Sequence, residues 1–216
     1  MIRLAYDDPF PPFAVTEDGK ARGVVIDILA GAFRRAGIEV TFVPSAMEKV
    51  QCLLDAGEVD GIAFYAVTPE RRMVFDFSDP VLVTGAALFA RSPEPPASNL
   101  KDYENKYVVT PKTGPLSEYI QREAPGVKLI LVRDYLEALK YVLDGRASAA
   151  ALNYHVGRDL IRKLFPGGFT PPEKIFLEVP LAVAMLKGKN TPLLRKISEA
   201  LRVFKKSAPH AGIVQG

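Results

Sequence analysis

The pattern of apolar and polar positions in the first part of the chain alternates between short apolar runs and amphipathic stretches. Apolar runs short enough for strands lie at residues 2–6, 38–43 and 59–64. Amphipathic stretches with helical spacing lie between them at residues 24–36 and 47–56, and each ends near a glycine. A later apolar run closes at Asp79-Pro80, and residues 81–90 predict one more strand, a buried one. The order strand, helix, strand, helix, strand predicts a sheet with parallel crossovers and helices on its faces.

The same rhythm restarts after residues 91–98, a segment rich in proline and serine that is the best candidate boundary in the chain. Further strands are predicted at residues 107–110, 127–132, 147–152 and 178–185. Further helices are predicted at residues 116–124, 134–143, 156–164 and 191–207. The last helix is amphipathic, with Leu193, Leu194, Ile197, Leu201 and Phe204 along one face. If it packs on the first α/β unit, the chain crosses between two units twice, and two crossings make a hinge.

Composition narrows the classes of function. The chain has 216 residues, of which 48% are hydrophobic and 25% charged, as in a soluble globular protein of one large domain or two lobes. The net charge is +3 and no lysine or arginine run exceeds two residues, so nucleic acid is not an expected partner. No apolar stretch is long enough for a membrane span and no signal peptide is visible, which fits either a cytosolic protein or an excised mature domain.

Cysteine and histidine are too few for a disulfide framework or a metal centre. The single cysteine, Cys52, falls in a helical pattern with Val50 and Leu54, and we expect it to be a small buried residue rather than a nucleophile. The two histidines, His155 and His210, have no neighbouring ligands at zinc-binding spacing. We therefore expect no metal and no cofactor.

A candidate for anion binding lies in the segment TPERRMVFDFSDP at residues 68–80. Its Pro-Glu pair suits a first helical turn, so Arg71 is predicted at the start of a short helix. A guanidinium carries a planar fork of donors that matches two carboxylate oxygens, and it stays charged at physiological pH. Arg71 is therefore a candidate carboxylate clamp, and a surface arginine paired with Glu70 or Asp76 is the alternative.

The loop DDPFPPF after the first strand is the second candidate. Its prolines stiffen the loop and hold Phe10 and Phe13 in place. These aromatic side chains form either a lid on the core or a wall of a pocket. A hairpin-like turn, EDGKARG, follows the loop.

Taken in order, these motifs resemble a known family. The series D-D-P-F-P-P-F, G-V-V-I-D-I-L, D-A-G-E-V-D-G, T-P-E-R and F-D-F-S-D-P, with A-L-K-Y-V-L-D-G-R and L-L-R-K-I-S-E-A-L later, is similar to the extracellular solute-binding proteins of family 3. The resemblance covers nearly the whole chain. It implies a type 2 periplasmic-binding-protein-like (Venus-flytrap) α/β fold, in which two doubly wound lobes are joined by a double crossover hinge and close on a ligand. Lobe 1 would comprise residues 1–90 and 178–216, and lobe 2 residues 91–177.

The resemblance assigns roles to residues of the first lobe. Arg71 matches the arginine that clamps the α-carboxylate of the ligand, and Phe10 matches the aromatic residue that stacks over it. Met47 falls where many members place another aromatic side chain. Phe64 and Tyr65 occupy the segment that usually offers Ser/Thr and backbone groups to the ligand amine.

In the second lobe, Thr113 and Gly114 match the loop whose amides complete the carboxylate site. The amino-acid binders usually end the small-residue strand with an aspartate that pairs with the ligand ammonium, and here Asn153 stands at that position. An amide accepts a hydrogen bond without adding a full charge, so a standard zwitterionic amino acid becomes a less certain ligand. The neighbouring Tyr154 and His155 either add a contact to the ligand or cap the strand.

Two further departures concern the role in the cell. The segment at residues 60–71 is one residue shorter than in typical importer receptors and resembles the branch fused to membrane sensor kinases. The chain ends SAPHAGIVQG and has no tryptophan, whereas members usually finish with a tryptophan-containing helix. A truncated, excised domain or simple divergence would each explain this ending.

The resemblance implies a non-catalytic, periplasmic or extracytoplasmic domain that binds a small carboxylate-bearing solute. The expected role is the input domain of a membrane receptor such as a histidine kinase, with a tethered transmembrane signalling module as its partner. The alternative is a free receptor that delivers a solute to the membrane subunits of an ABC importer. An enzyme on the same scaffold would need an acid or base in the cleft, for which only Lys112 is an obvious candidate.

Overall fold

The chain divides into two units, each built of strands and helices. The computed structural model describes residues 1–207. The first unit combines Met1–Val83 with the chain from Pro180 onward, and the second unit is Thr84–Val179. Both boundaries fall inside long strands, a few residues from the predicted lobe limits after residue 90 and before residue 178.

Helices and strands alternate through most of the chain. The elements up to the first boundary strand are β1 (Ile2–Asp7), β2 (Val15–Glu17), β3 (Lys20–Arg22), α1 (Val24–Ala36), β4 (Val40–Ser45), α2 (Met47–Asp55), β5 (Gly61–Ala66), α3 (Arg71–Val74) and β6 (Phe75–Arg91). After them come a 3₁₀ turn (Leu100–Tyr103), β7 (Tyr107–Pro111), α4 (Leu116–Glu123), β8 (Lys128–Val132), α5 (Tyr135–Leu143), β9 (Ala149–Asn153), α6 (Tyr154–Leu164), β10 (Phe169–Thr170), β11 (Leu177–Leu186) and α7 (Thr191–Lys205).

The first unit has a sheet in the order β4-β1-β5-β11-β6. Strand β1 pairs in parallel with both β4 and β5, while β11 runs antiparallel to β5. The register of β1 and β4 aligns Asp7 with Ser45, so the carboxyl ends of these two strands lie side by side. The predicted parallel crossovers are confirmed here, and the loops after β1, β4 and β5 leave from one edge of the sheet.

A hairpin follows the loop after β1, as the sequence predicts. Strands β2 and β3 pair antiparallel through Glu17 and Lys20. Between them, Asp18 has a φ of 49° and Gly19 a φ of 70°. Two consecutive positive φ angles define the type I′ turn, which matches the twist of a two-residue hairpin and favours Asp-Gly.

The second unit is a sheet covered on both faces. Its order is β6-β9-β7-β8, with β10 paired to the other side of β6, and β7 runs parallel to β8 and β9. Leu88 packs on one face with the helix residue Ile120, and its neighbour Phe89 packs on the other with Leu139. Because both faces are buried, the strands carry continuous apolar runs instead of an alternating pattern.

Helix α7 packs closely on α1 in the first unit. Four of the five residues of the predicted apolar face are buried, namely Leu194, Ile197, Leu201 and Phe204, while Leu193 is half-buried. A Cβ atom built on Gly31 of α1 would clash with the ring of Phe204. Glycine at this position therefore permits the contact that returns the end of the described chain to the first unit.

Strand β6 corrects one prediction. The sequence predicts that an apolar run closes at Asp79-Pro80 before a separate strand, but one strand continues from Phe75 to Arg91. The polar groups at this point are satisfied from α7: Ser198 Oγ accepts from the Asp79 N–H at 2.9 Å, and the Lys205 ammonium donates to the Pro80 carbonyl. Proline interrupts strands because it lacks a donor, and tertiary contacts compensate for that loss here.

The prediction of a buried Cys52 is wrong, because its thiol lies on the exposed side of α2. The helix buries Val50 and Leu54, which lie four residues apart on one face. Cys52 lies midway between them in sequence, and residues two apart on a helix point to opposite sides. The face of the helix on which a residue lies decides whether it is buried, and the apolar character of the stretch does not.

Element ends shift by a few residues from the prediction. The strand predicted at residues 59–64 is Gly61–Ala66, and the strand predicted at residues 147–152 is Ala149–Asn153. Within residues 1–207, no helix combines the length and hydropathy needed to cross a membrane. His210 and the unusual end of the chain lie outside the described residues.

Candidate functional site

The predicted site residues of the first unit gather at one edge of its sheet. Strands β1, β4 and β5 are parallel neighbours, so their carboxyl ends share an edge. Phe10 follows β1, Met47 follows β4, and Tyr65 and Arg71 lie at and after the end of β5. In open α/β sheets, ligands bind at this edge.

Arg71 begins the short helix α3, as the sequence predicts. The Thr68 hydroxyl accepts from the backbone N–H of Arg71 at 3.2 Å, which explains the threonine that starts the T-P-E-R motif. The Arg71 side chain donates through Nη1 to the carbonyl of Ala66 at 3.1 Å, and its Cζ lies 3.5 Å from the centroid of the Tyr65 ring. Backbone and side chain together fix the position of the guanidinium.

Tyr65 is the platform under this guanidinium. Its ring meets the buried Phe75 edge to face at 5.6 Å. Tyr65 also packs with Met47 against the core cluster that contains Ile62. Stacking on this ordered ring restricts the rotamers of Arg71 before a ligand binds. Less side-chain entropy is therefore lost when Arg71 contacts a ligand.

Phe10 lies over buried aromatic rings. Its ring stacks on Phe64 at a centroid distance of 6.3 Å and meets Phe13 at 5.7 Å. Phe13 and Phe64 are each only 3% exposed, whereas Phe10 is half-buried. A hydrogen bond from the Phe10 N–H to the Ala14 carbonyl, 2.8 Å long, closes the proline-rich loop. Phe13 therefore belongs to the core, and Phe10 keeps a surface that a ligand can contact.

Sequence reasoning missed Asp7, the last residue of β1. Its carboxylate accepts from the backbone N–H of Met47, the first residue of α2, at 3.1 Å. Burial raises the pKa of Asp7 to about 6, and the nearby Glu48 and Asp8 add to this increase while the hydrogen bond opposes it. The signal was a charged residue at the carboxyl end of a buried strand, where ligand-binding groups collect.

In the second unit, Thr113 and Gly114 form the turn between β7 and α4. Gly114 has a φ of 118°, a left-handed backbone that favours glycine over any residue with a side chain. The chain thus changes direction before α4 begins at Leu116. The first N–H groups of a helix lack partners within it and attract anions. This loop follows β7, and Asn153 is the last residue of β9. The two strands are parallel neighbours, so the loop and Asn153 lie at the same edge of their sheet.

Asn153 ends β9 and caps α6. Its side-chain oxygen accepts from the backbone N–H groups of His155 and Val156, at 3.0 and 3.3 Å. Its amide nitrogen donates to the Thr84 hydroxyl at 3.1 Å. An amide oxygen has two lone pairs, and both are directed to the helix here. The residue that stands in place of the usual aspartate has a structural role.

Tyr154 and His155 lie in the first turn of α6 and do not extend β9. The Tyr154 hydroxyl accepts from Arg158 at 2.8 Å, and the Tyr154 ring meets that of His155 edge to face. Desolvation of the His155 ring, together with the nearby Arg158, lowers the pKa of His155. The two residues therefore begin a helix instead of capping the strand, and a contact with the ligand stays a prediction.

Metal ligation has no geometric support in the described part of the chain. No group of three or more His, Cys, Asp or Glu side chains converges within residues 1–207. Cys52 and His155 lie on different units. The absence of a metal remains a prediction.

The profile of the bacterial extracellular solute-binding proteins, family 3, matches residues 2–215. The chain belongs to this family. The L-cystine-binding protein TcyJ of Escherichia coli (strain K12) is similar to it, with 23% identity over 208 residues that cover 95% of this chain and 77% of that protein. The resemblance drawn from the ordered motifs is therefore confirmed.

Solved structures confirm the periplasmic-binding-protein-like fold of this family 3 domain. A histidine kinase sensor domain with similarity to periplasmic binding proteins superposes with a TM-score of 0.87 at 24% identity, covering 99% of this chain and 94% of that one. An ancestral arginine-binding protein bound to glutamine superposes with a TM-score of 0.81 at 26% identity, covering 99% and 96%. Sensor domains and amino-acid-binding proteins thus share this fold, and the family to which the chain belongs consists of solute-binding proteins.

Proposed function

We propose that this chain is a non-catalytic, extracytoplasmic domain that binds a small carboxylate-bearing solute, with Arg71 as the carboxylate clamp. The observation that carries the proposal is the fixed guanidinium of Arg71, which lies over Tyr65 and donates to the Ala66 carbonyl. Family membership supports solute binding, and two of the named proteins, TcyJ and the ancestral arginine-binding protein, bind amino acids.

The geometry of Arg71 suits a carboxylate. Stacking on a ring occupies a face of the guanidinium, while its N–H donors lie in the plane and remain directed sideways. Such a fork binds two carboxylate oxygens at once, which a lysine does not do. Phe10 and Tyr65 would cover the apolar part of the solute, with Met47 and the buried Phe64 behind them.

The second unit would complete the site in the bound state. We propose that the amides of Thr113 and Gly114 contact the carboxylate, and that Asn153 is the residue nearest the rest of the solute. Only contacts made in the closed state favour closure, because a ligand held equally in both states shifts no population.

The chemistry of Asn153 narrows the solute class. Its oxygen already accepts two backbone hydrogen bonds, and it carries no charge to pair with an ammonium group. An α-amino group would therefore add little to the affinity. We propose that the domain accepts carboxylates without an α-amino group at least as well as the corresponding amino acids.

The signalling role is proposed on sequence grounds. The short segment at residues 60–71 and Asn153 resemble the branch fused to membrane sensor kinases, and the fold of a kinase sensor domain is among those that match. The alternative is a free receptor of an ABC importer, and the similarity to TcyJ, an L-cystine-binding protein, is compatible with it. The complete coding sequence decides between them: a transmembrane helix with a kinase domain supports the first role, and a secretion signal with no further domain supports the second.

A thermal-shift screen tests the proposed chemistry. The probes are glutamate, glutamine, arginine and cystine, with 2-oxoglutarate, succinate and phenylpyruvate as acids that lack an ammonium group. A specific ligand raises the melting temperature because it binds only the folded form. The acid with the largest shift is then titrated by calorimetry into the parent and into Arg71→Ala, with Arg72→Ala as the matched control.

We expect Arg71→Ala to lose about 2–5 kcal/mol of binding free energy, as when one member of a desolvated charge pair is removed. Arg72→Ala retains the parent affinity. Equal affinity of Arg71→Ala and the parent contradicts the assignment of the clamp. If every amine-free acid fails while an amino acid binds, the clamp stands and the proposed solute class is wrong.

A further inference from the structure

A groove in the first unit lies apart from the carboxylate clamp. It has a volume of about 710 Å³ and is bounded by α3, the start of β6, the turn after β11 and α7. We call it the basic groove, after the cations Arg72, Lys187, Arg195 and Arg202 that line it. Nothing in the proposed solute-binding role uses this surface.

The balance of charge in the basic groove is positive. The described residues that line it include four cations and two carboxylates, those of Asp76 and Asp79. Both carboxylates have partners within the unit, since Asp79 pairs with Arg202 at 2.7 Å and Asp76 accepts from the Gly188 N–H at 2.8 Å. The remaining field therefore favours an acidic occupant.

The groove also offers apolar surface. Phe77 and the buried side chains of Phe75 and Leu194 contribute to its lining. On the same short helix as Arg72, Met73 is 76% exposed and Val74 is 49% exposed. Two large apolar side chains exposed beside a charged groove are typical of a surface that contacts another protein.

The side chains of the two consecutive arginines of α3 lie at different sites. Arg71 turns to Tyr65 and Ala66, whereas Cζ of Arg72 lies 5.7 Å from the centroid of the Phe77 ring in the groove. The Arg72 carbonyl accepts from the Lys187 ammonium at 2.8 Å, which ties α3 to the turn after β11. The groove is therefore a separate site built on the same helix.

We propose that the basic groove docks an acidic segment of a partner protein, one whose carboxylates are interrupted by apolar side chains. Carboxylates would meet Arg72 and Arg195 on the two walls, and apolar side chains would cover Phe77 and Met73. The cations are spread over three elements, which suits an extended segment better than a single small anion. The concave shape suits a protruding chain better than a flat lipid surface. The proposal does not depend on the identity of the solute held by Arg71.

The test uses a fluorescein-labelled peptide of glutamates interrupted by leucines, titrated at low salt and followed by anisotropy. A peptide with glutamine in place of every glutamate is the control for charge. The test variant combines Arg72→Glu and Arg195→Glu, both at exposed positions. The matched variant is Lys196→Glu. It reverses an exposed charge on α7, the helix that carries Arg195, at a position outside the groove. Circular dichroism checks that each variant is folded.

We expect the acidic peptide to bind the parent and Lys196→Glu with the same affinity. It should bind the double variant at least about tenfold more weakly, because the two arginines at the rim of the groove would attract its carboxylates. The glutamine peptide binds weakly to all three. In NMR spectra recorded during the titration, the backbone amide signals whose chemical shifts change should be those of α3 and α7. Absence of binding, or equal loss in Lys196→Glu and the double variant, overturns the proposal. Binding to phosphatidylserine vesicles without binding to the peptide overturns it in favour of a membrane surface.

Discussion

The Cζ atom of Arg71 lies 3.5 Å from the centroid of the Tyr65 ring, and this contact orients the guanidinium at the carboxyl edge of the first unit's sheet. Tyr65 is the penultimate residue of β5, the strand from which the loop to Arg71 departs, so a contact between residues six apart in sequence positions the clamp. The ring is in turn held by Phe75. The clamp is thus anchored to the core through one aromatic side chain.

Arg71→Lys tests whether the fork of donors matters in addition to the charge. Lysine keeps the positive charge, but it presents a point charge and cannot bind two carboxylate oxygens in a plane. We expect this variant to bind the acid selected by the thermal-shift screen about tenfold more weakly than the parent. Calorimetry measures the difference. Parent-like affinity would mean that charge alone holds the ligand.

Tyr65 is expected to position Arg71 through its ring, in addition to covering part of the solute. Tyr65→Phe keeps the ring and should retain the parent affinity, whereas Tyr65→Leu removes the stacked face and should cost about 1 kcal/mol of binding free energy. Calorimetric titration with the same acid gives both values, and thermal unfolding separates binding from stability. If Tyr65→Phe loses as much affinity as Tyr65→Leu, the hydroxyl contacts the ligand and the positioning role is wrong.

Asn153 provides a stability test and a specificity test. Asn153→Ala removes an N-cap and should lower the free energy of unfolding by about 1 kcal/mol, while Asn153→Asp keeps an oxygen that caps α6 and should stay close to the parent. Urea unfolding measures both.

The same aspartate also introduces a charge that can pair with an ammonium group. Asn153→Asp should therefore shift the preference of the domain toward amino acids and away from amine-free acids in the thermal-shift screen. An unchanged ranking of ligands would show that residue 153 does not face the solute.

The pH dependence of stability should report on Asp7. Its pKa rises from 3.8 to about 6 on folding because of burial, so the folded state binds the proton more tightly than the unfolded state. The stabilisation that protonated Asp7 contributes to the free energy of unfolding is fully present below its ordinary pKa of 3.8. It is lost as the pH rises through the folded-state pKa of about 6. The loss is at most about 3 kcal/mol, and less where water reaches the carboxylate.

Asp7→Asn should remove that dependence, since an amide keeps an acceptor for the Met47 N–H and does not titrate. The variant should gain stability relative to the parent as the pH rises from about 4 to about 7. Urea unfolding across this range measures the gain. The pKa values of Asp134 and Asp159 are lowered in the folded state, so both carboxylates stabilise the fold when they are ionised. That stabilisation is lost only as the pH falls to more acidic values. A constant difference between variant and parent would contradict the buried, proton-binding state of Asp7.

Much of the local structure follows from hydrophobic periodicity. The pattern of the chain predicts the alternation of strands and helices, the apolar face of α7 and the short helix at Arg71, because each depends on side chains close together in sequence. Ordered motifs identify the family. The motif at residues 68–80 brought Arg71 forward as a site position and the resemblance brought Asn153 forward, and the ligand-binding roles of both stay predictions.

Three features needed contacts from distant parts of the chain. Strand β6 continues through Pro80 because Ser198 and Lys205 of α7 satisfy the backbone there. Asp7 gains its raised pKa from burial beside α2. The basic groove forms because Arg72 and Arg195, far apart in sequence, are brought to one surface.

The sequence by itself determined most of the elements, the family and the types of side chain available for binding an acid. The tertiary structure alone decided which of those side chains are shielded from water and which atoms are already engaged. Asn153 shows the difference: its identity predicts a neutral acceptor, and only the folded chain reveals that the acceptor is occupied by α6. The physical reason is that solvation and hydrogen-bond competition depend on every group packed nearby, whereas periodicity depends only on close neighbours in sequence.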